Sequence, residues 1–293
     1  MTISQQRPAG LRSGKHVGWV SPVRESHLPQ AWELAQRDAV VNAFVLSRID
    51  AARKDMWRLG GALLGYFTEA GLHSLLYVGA NIVPVQTNDV SRTLFAQELI
   101  RSGRRSSSML GNRHEVLGLW SQLEKIWGLP REVRDSQPLL ALQSRATGPR
   151  DARVAHVTED QLSLLFPASV HMFTEEVGVS PLLHGGEDQY RRRVAEVIAE
   201  RKAFAVIEDS RAIFKAEVGF ATREVAQLQG VWVIPELRGQ GLAAPALASV
   251  VDFVQEEIAP NVTLYVNDFN RAARNVYARI GFDQVGEFAT VLF

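Results

Sequence analysis

No cysteine occurs among the 293 residues, which excludes disulfides, thiolate metal sites and a cysteine nucleophile. The seven histidines never fall into H-E-x-x-H or a comparable spacing, so the chain carries no metal signature. Charge of one sign is missing too. With 32 basic against 32 acidic residues, the electrostatic footprint of a nucleic-acid or anionic-membrane binder is absent at the level of the whole chain. No apolar run approaches the roughly 18 residues that a membrane span needs, and the polar start MTISQQRPAGLRSGK lacks the apolar core of a signal peptide. The expectation is a soluble cytoplasmic protein with neither metal, membrane nor nucleic acid as partner, beginning with a flexible tail over residues 1–14.

What is there is apolar and patterned. A hydrophobic content of 46% over this length suits two domains with real cores. Their expected junction is the small and charged stretch Gln143 to Arg150, with a Gly-Pro pair, separating residues 15–145 from 151–293.

The most informative stretch runs from Val231 to Phe282. The apolar run Val231 to Ile234 passes through Pro235 into Arg238, Gly239, Gln240, Gly241, Leu242 and Ala243, then into a helical pattern with Leu247, Val250, Val251, Val254 and Ile258 on one side. Glycines at a strand-to-helix junction let backbone approach a ligand, and the unpartnered N–H groups at a helix start favour an anion such as phosphate. The Rossmann spacing G-x-G-x-x-G and the Gly-Lys-Ser/Thr of a Walker A loop are both absent. Downstream stand a short strand pattern (Val262 to Val266) and then Asn270, Ala273, Tyr277, Gly281 and Phe282.

The loop and this second motif together resemble the GNAT superfamily of acetyl-CoA-dependent N-acetyltransferases, whose Q/R-x-x-G-x-G/A loop is matched by Arg238, Gly241 and Ala243. The order of elements from Val154 onward, strand, two helices, three antiparallel strands, then loop, helix, strand and helix, also resembles that family. The first half repeats the order in a weaker form, with strand patterns at Ala62 to Phe67, Ser74 to Val78 and Asn81 to Val85 and helical ones at Leu94 to Ile100 and Asn112 to Trp127. There Gln86 to Ser91 replaces the glycine loop, Asp89 would face a pyrophosphate, and Leu119 stands where Tyr277 does in the second half. The expected fold is α/β (α+β): two tandem GNAT-like domains, each a mixed, mostly antiparallel sheet flanked by helices, the first without a cofactor site. An unrelated first α/β domain is the alternative. The strings FKAEVGFATREVAQLQGVWVIPELRGQG and MFTEEVGVSP resemble an actinobacterial family of tandem GNAT proteins with one degenerate copy.

The resemblance implies specific roles. Acetyl-CoA would lie with its pyrophosphate on the backbone of Gly239, Gln240, Gly241, Leu242, Ala243 and Ala244, with Arg238 supplying charge and the strand around Trp232 and Val233 bonding the pantetheine arm. Pro245, which has no N–H, must fall within the first helical turn. Tyr277 would be the general acid beside the sulfur, the alternative being a packed tyrosine. Asn270 would bond the pantetheine or cap its helix. At the position where histone-type members carry a glutamate base stands Gln227, which takes no proton at neutral pH. Glu217, Glu175 and Glu176 are the candidates for the base, each of which has a solvated surface residue as its plainer reading. His156, His171 and His184 receive no role, and Tyr190 to Arg193 reads as a solvated helix face.

The implied activity is direct acetyl transfer to a primary amine, on a small molecule or a protein, with no metal. Three matters stay open at this point. An acyl-CoA-binding sensor or interaction module without catalysis is one rival, an aminoacyl- or peptidoglycan-type transferase is another, and a homodimer is neither required nor excluded.

Overall fold

The computed structural model describes residues 18–293; the tail expected over residues 1–14 lies outside the described residues. The chain divides into two compact units, one running to Pro138 and taking in Gly286–Phe293, the other Leu139–Val285. The stretch expected as the junction belongs to the second unit, where Thr147 donates its N–H to the Ile280 carbonyl at 2.9 Å and Arg150 bonds Asp252.

In the first unit the chain forms β1 (Trp19–Pro22), α1 (Leu28–Gln36), α2 (Ala43–Lys54), β2 (Ala62–Thr68), β3 (Gly71–Val78), β4 (Asn81–Val85), α3 (Asp89–Ser102), β5 (Ser108–Asn112) and α4 (Arg113–Trp127). Strands β1 to β4 pair antiparallel in sequence order, and β5 joins β4 in parallel because α3 makes the crossover between them. One face packs on α1 and α2 through Leu34, Val45, Ile49, Leu75 and Val85. The other packs on α3 and α4 through Leu76, Phe95, Leu99, Leu119 and Leu123. Each such side chain taken fully out of water contributes roughly 1.5–3 kcal/mol.

β6 (Glu132–Leu142) leads into the second unit, which repeats the order: β7 (Ala155–His156), α5 (Leu162–Val177), α6 (Glu187–Ala199), β8 (Ala203–Glu208), β9 (Arg211–Ala221), β10 (Val225–Val233), α7 (Ala243–Glu257), β11 (Asn261–Tyr265), α8 (Arg271–Ile280) and β12 (Asp283–Leu292). Strands β7 to β10 are antiparallel, and β11 is parallel to β10. The α7 and α8 side is closed by Phe214, Ala216, Val218, Leu247, Val251 and Tyr277, the α5 and α6 side by Leu165, Phe166, Val194, Ile198 and Trp232.

The final strands depart from simple duplication. Beside β5 lies the end of the chain, Phe288–Leu292 of β12, and beside β11 lies Leu139–Leu142 of β6, both antiparallel. Each unit is thus completed by the strand that follows the other unit's last helix.

Helix starts set the two units apart. Asn112 and Asn270, at equivalent points, cap α4 and α8 through their side chains. Asn88 caps α3 in a reciprocal pair, accepting from the Ser91 N–H at 2.9 Å while Ser91 Oγ accepts from the Asn88 N–H at 2.9 Å. Its counterpart α7 begins at Leu242 with no side-chain cap.

Candidate functional site

The site grows from an irregularity in β10. Opposite β9, Gln229 pairs with Glu217 and Trp232 with Lys215, so β10 carries one residue more than its partner over that step. Gly230, at φ +59°, is the residue that allows it, and a Cβ there would stand 2.9 Å from the Met172 methyl and 3.0 Å from Lys215 Nζ. A bulge bends and twists the strand that holds it. The described pairing of β10 with β11 accordingly covers just Val225–Gln227 with Asn261–Thr263, while β10 continues to Val233. The end of β10 therefore has an edge not taken up by β11.

From that end the chain turns through Pro235–Leu237 into the glycine loop. Gly239 and Gly241 have φ of +76° and +84°, which only glycine adopts without strain, and a Cβ at either would meet nothing within 4 Å. Both glycines thus face open space rather than packed protein. Behind them α7 opens with Leu242, Ala243 and Ala244 uncapped, and Pro245 sits third in the helix, where a missing N–H costs nothing. Gln240 Nε2 is spent inside the loop, on the Glu236 carbonyl at 2.9 Å.

Arg238 ties this loop to two other elements. Its Nε donates to the Val233 carbonyl at 3.0 Å, and its Nη2 donates to both oxygens of Glu175, at 3.0 and 2.7 Å. Trp232 Nε1 donates to the same carboxylate at 3.4 Å, and its ring stacks on His171 at 6.3 Å. Trp232, Val233, Arg238 and Glu175 are therefore gathered at one spot, where α5 ends beside the end of β10.

Residues 187–282, which hold Trp232, Val233, Arg238 and the glycine loop but not Glu175, match the model of the Acetyltransferase (GNAT) family. They are a GNAT domain. Residues 61–165 match a domain of unknown function, DUF4081. No curated protein matches the chain. Among solved structures the fold is similar to an acetyltransferase of the GNAT family from Colwellia psychrerythraea (TM-score 0.57, 14% identity, 94% of this chain and 99% of that one). It is also similar to a GCN5-related N-acetyltransferase from Sphaerobacter thermophilus (TM-score 0.56, 15% identity, 93% and 94%). A tandem GNAT protein from the clavulanic acid biosynthesis pathway is similar over 94% of this chain and 98% of its own (TM-score 0.55, 12% identity). Over nearly its whole length the chain thus shares the fold of these structures, a tandem GNAT protein among them.

Within the GNAT domain the remaining candidates fall into separate surroundings. Glu217 is buried on the α5 and α6 face of β9, where it receives Lys215 Nζ at 3.2 Å and Gln229 Nε2 at 2.7 Å, with Arg193 at 4.0 Å. Burial pushes its carboxyl up, but Lys215, the two hydrogen bonds and Arg193 together hold it below the usual carboxylate range. Tyr277 is buried on the opposite face, its ring 6.0 Å from that of Phe282. Burial, aided by the negative charge of Glu176, lifts its phenol well above the ordinary tyrosine value. Asn270 spends its side chain on the Ala273 N–H at 3.1 Å, as a cap. Gln227 is buried, before the bulge.

Lys215 escaped the sequence reading. A lysine in a strand pattern reads as solvated, yet this one is 0% exposed. The signal that could have pointed to it is Gly230, since an isolated glycine inside a strand pattern marks a bulge. Nor is the Tyr190–Arg193 run simply a wet face: Tyr190 donates to the Ser169 carbonyl at 2.9 Å and Arg193 faces Glu217. Among the described residues no group of three or more His, Cys, Asp or Glu could hold a metal ion, and no helix is long and apolar enough to cross a membrane.

Proposed function

We propose that the GNAT domain binds acetyl-CoA and transfers its acetyl group to a primary amine, of a small molecule or a protein, by direct attack. The observation that carries this reading is the uncapped N-terminus of α7 behind two positive-φ glycines, placed where β10 leaves β11. The residues fit the coenzyme's diphosphate: the loop faces open space, the first N–H groups of α7 have no side-chain cap and form the positive end of its dipole, and Arg238 adds a cation. The edge of β10 beyond its pairing with β11, near Trp232 and Val233, would bond the pantetheine arm. Bound there, acetyl-CoA supplies an acyl group already activated as a thioester.

The chain's own residues do the rest. Tyr277, whose phenol keeps its proton throughout the physiological range, donates that proton to sulfur. The amine must shed a proton first, because a lysine-type amine with pKa about 10.4 is almost wholly charged at neutral pH. Gln227 cannot take it. Glu217, held low by Lys215 and its other partners, is a weak acceptor, which leaves Glu175 and Glu176 at the end of α5 as the better placed carboxylates.

A second reading, a coenzyme-binding module without turnover, is favoured by the buried amide of Gln227 where a carboxylate base would serve. Acetyl-CoA consumption with a panel of amines, run beside calorimetric titration of CoA, separates the two. Turnover supports the transferase; binding without turnover of any amine supports the module; absence of binding overturns both.

A further inference from the structure

Glu175 and Arg238 lie 63 residues apart in sequence, yet one guanidinium nitrogen of Arg238 holds both oxygens of Glu175. Arg238 is hinged at the same time to the end of β10 by its bond to the Val233 carbonyl. Trp232 Nε1 donates to the same carboxylate, at 3.4 Å, through the oxygen Oε1 that Arg238 also holds. The two charged side chains are 46% and 45% exposed, so water competes for both and the pair is a weak one. Arg238 also stands at the start of the loop whose glycines and helix end attract an anion, so any diphosphate in that loop must contend with Glu175 for the same cation.

We infer, on the coenzyme reading above, that Arg238 is exchanged: a diphosphate at residues 240–244 draws the guanidinium off Glu175, and the released carboxylate becomes the acceptor for the amine's proton. The direction follows from charge. A diphosphate carries more negative charge than one carboxylate and lies against the positive end of α7, which Glu175 does not. After the exchange Trp232 still holds Glu175 at the end of β10, beside the edge beyond its pairing with β11. Glu175 then takes one proton from the acceptor ammonium, and the freed lone pair forms the N–C bond to the acyl carbon as the C–S bond breaks. The second proton of the nitrogen replaces the one that Tyr277 gives to the departing sulfur. Charge and protons balance, and the enzyme orders its own reaction, with the coenzyme first and the amine second.

The experiment is calorimetric titration of CoA into the full chain and into Glu175→Gln, Arg238→Gln and the double variant. Glutamine keeps the shape of Glu175 at a half-exposed site, so folding is not at stake. Losing a weak exposed competitor should tighten CoA binding in Glu175→Gln by about two- to fivefold. That gain should vanish when Arg238 is already glutamine, since the two residues then share no interaction. Turnover of Glu175→Gln should fall by about 10²-fold or more. Unchanged or weaker CoA affinity in Glu175→Gln overturns the exchange. An equal gain in the Arg238→Gln background overturns it as well, because it would reduce Glu175 to simple repulsion of the anion. If the wild-type chain binds no CoA, the coenzyme reading itself has failed; if it binds without the gain, only the exchange has.

Discussion

The carboxylate of Glu115 accepts the Thr87 N–H at 3.1 Å and the Thr87 hydroxyl at 3.0 Å. With the Gln86 N–H at 3.1 Å, it fills the strand-to-helix turn before α3, at the point equivalent to the glycine loop before α7. The first unit thus supplies its own anion there, and caps its helix with Asn88 besides. Glu115→Ala should leave the half-buried N–H groups of Gln86 and Thr87 without their carboxylate partner and cost about 1–2 kcal/mol. Coenzyme affinity should stay within a factor of a few, as it should in Asp89→Ala. Denaturant unfolding and CoA titration of these variants read the two effects separately; a large loss of affinity in either would place coenzyme in the first unit.

Lys215 and Glu217 form a buried pair whose halves depend on each other. Glu217→Gln should destabilise by about 3–5 kcal/mol at neutral pH, because it strands the fully buried Lys215. Adding Lys215→Met should recover much of the loss. The sign with pH follows from the lowered carboxyl of Glu217. Its stabilisation is present above the unfolded value of about 4.3 and is lost as pH falls through the lower folded value. The stability gap between wild type and Glu217→Gln should therefore narrow below about pH 4. A gap that is small at neutral pH, or that widens in acid, would contradict the pair's role.

Tyr277→Phe should lower the turnover rate by about 10²- to 10⁴-fold with CoA affinity nearly unchanged, since ring packing survives and the proton is lost. Because burial and Glu176 lift the phenol above its ordinary value of about 10, no basic limb in the rate profile below that pH should belong to Tyr277. Equal turnover in Tyr277→Phe would make it a packing residue.

Much of the fold could be read from periodicity because its elements are local. The strand pattern Asn81 to Val85 coincides with β4, and Asn112 and Asn270 stand where their helices begin. The glycine loop was legible for the same reason: its conformation is set by residues adjacent in sequence. Pairings across the chain were not. Nothing in the pattern of Leu139–Leu142 distinguishes β11 as its neighbour from β5, because apolar strands on either would bury the same residues. The Arg238 and Glu175 pair joins a loop to a distant helix, and each residue alone reads as a surface charge. Lys215 stayed hidden because its burial depends on Glu217 and on the bulge at Gly230, a combination visible only once β9 and β10 are aligned.

The measurement that bears most directly on the coenzyme site is calorimetric titration of acetyl-CoA into the full chain beside Gly241→Ala and Gly241→Glu. Alanine at φ +84° introduces backbone strain of about 1–2 kcal/mol, and glutamate adds to the same strain a negative charge in the loop. One acetyl-CoA should bind per wild-type chain, Gly241→Ala should bind more weakly, and Gly241→Glu should not bind measurably. Acetyl-CoA binding that is absent from the wild type, or equal in Gly241→Glu and wild type, would contradict the site.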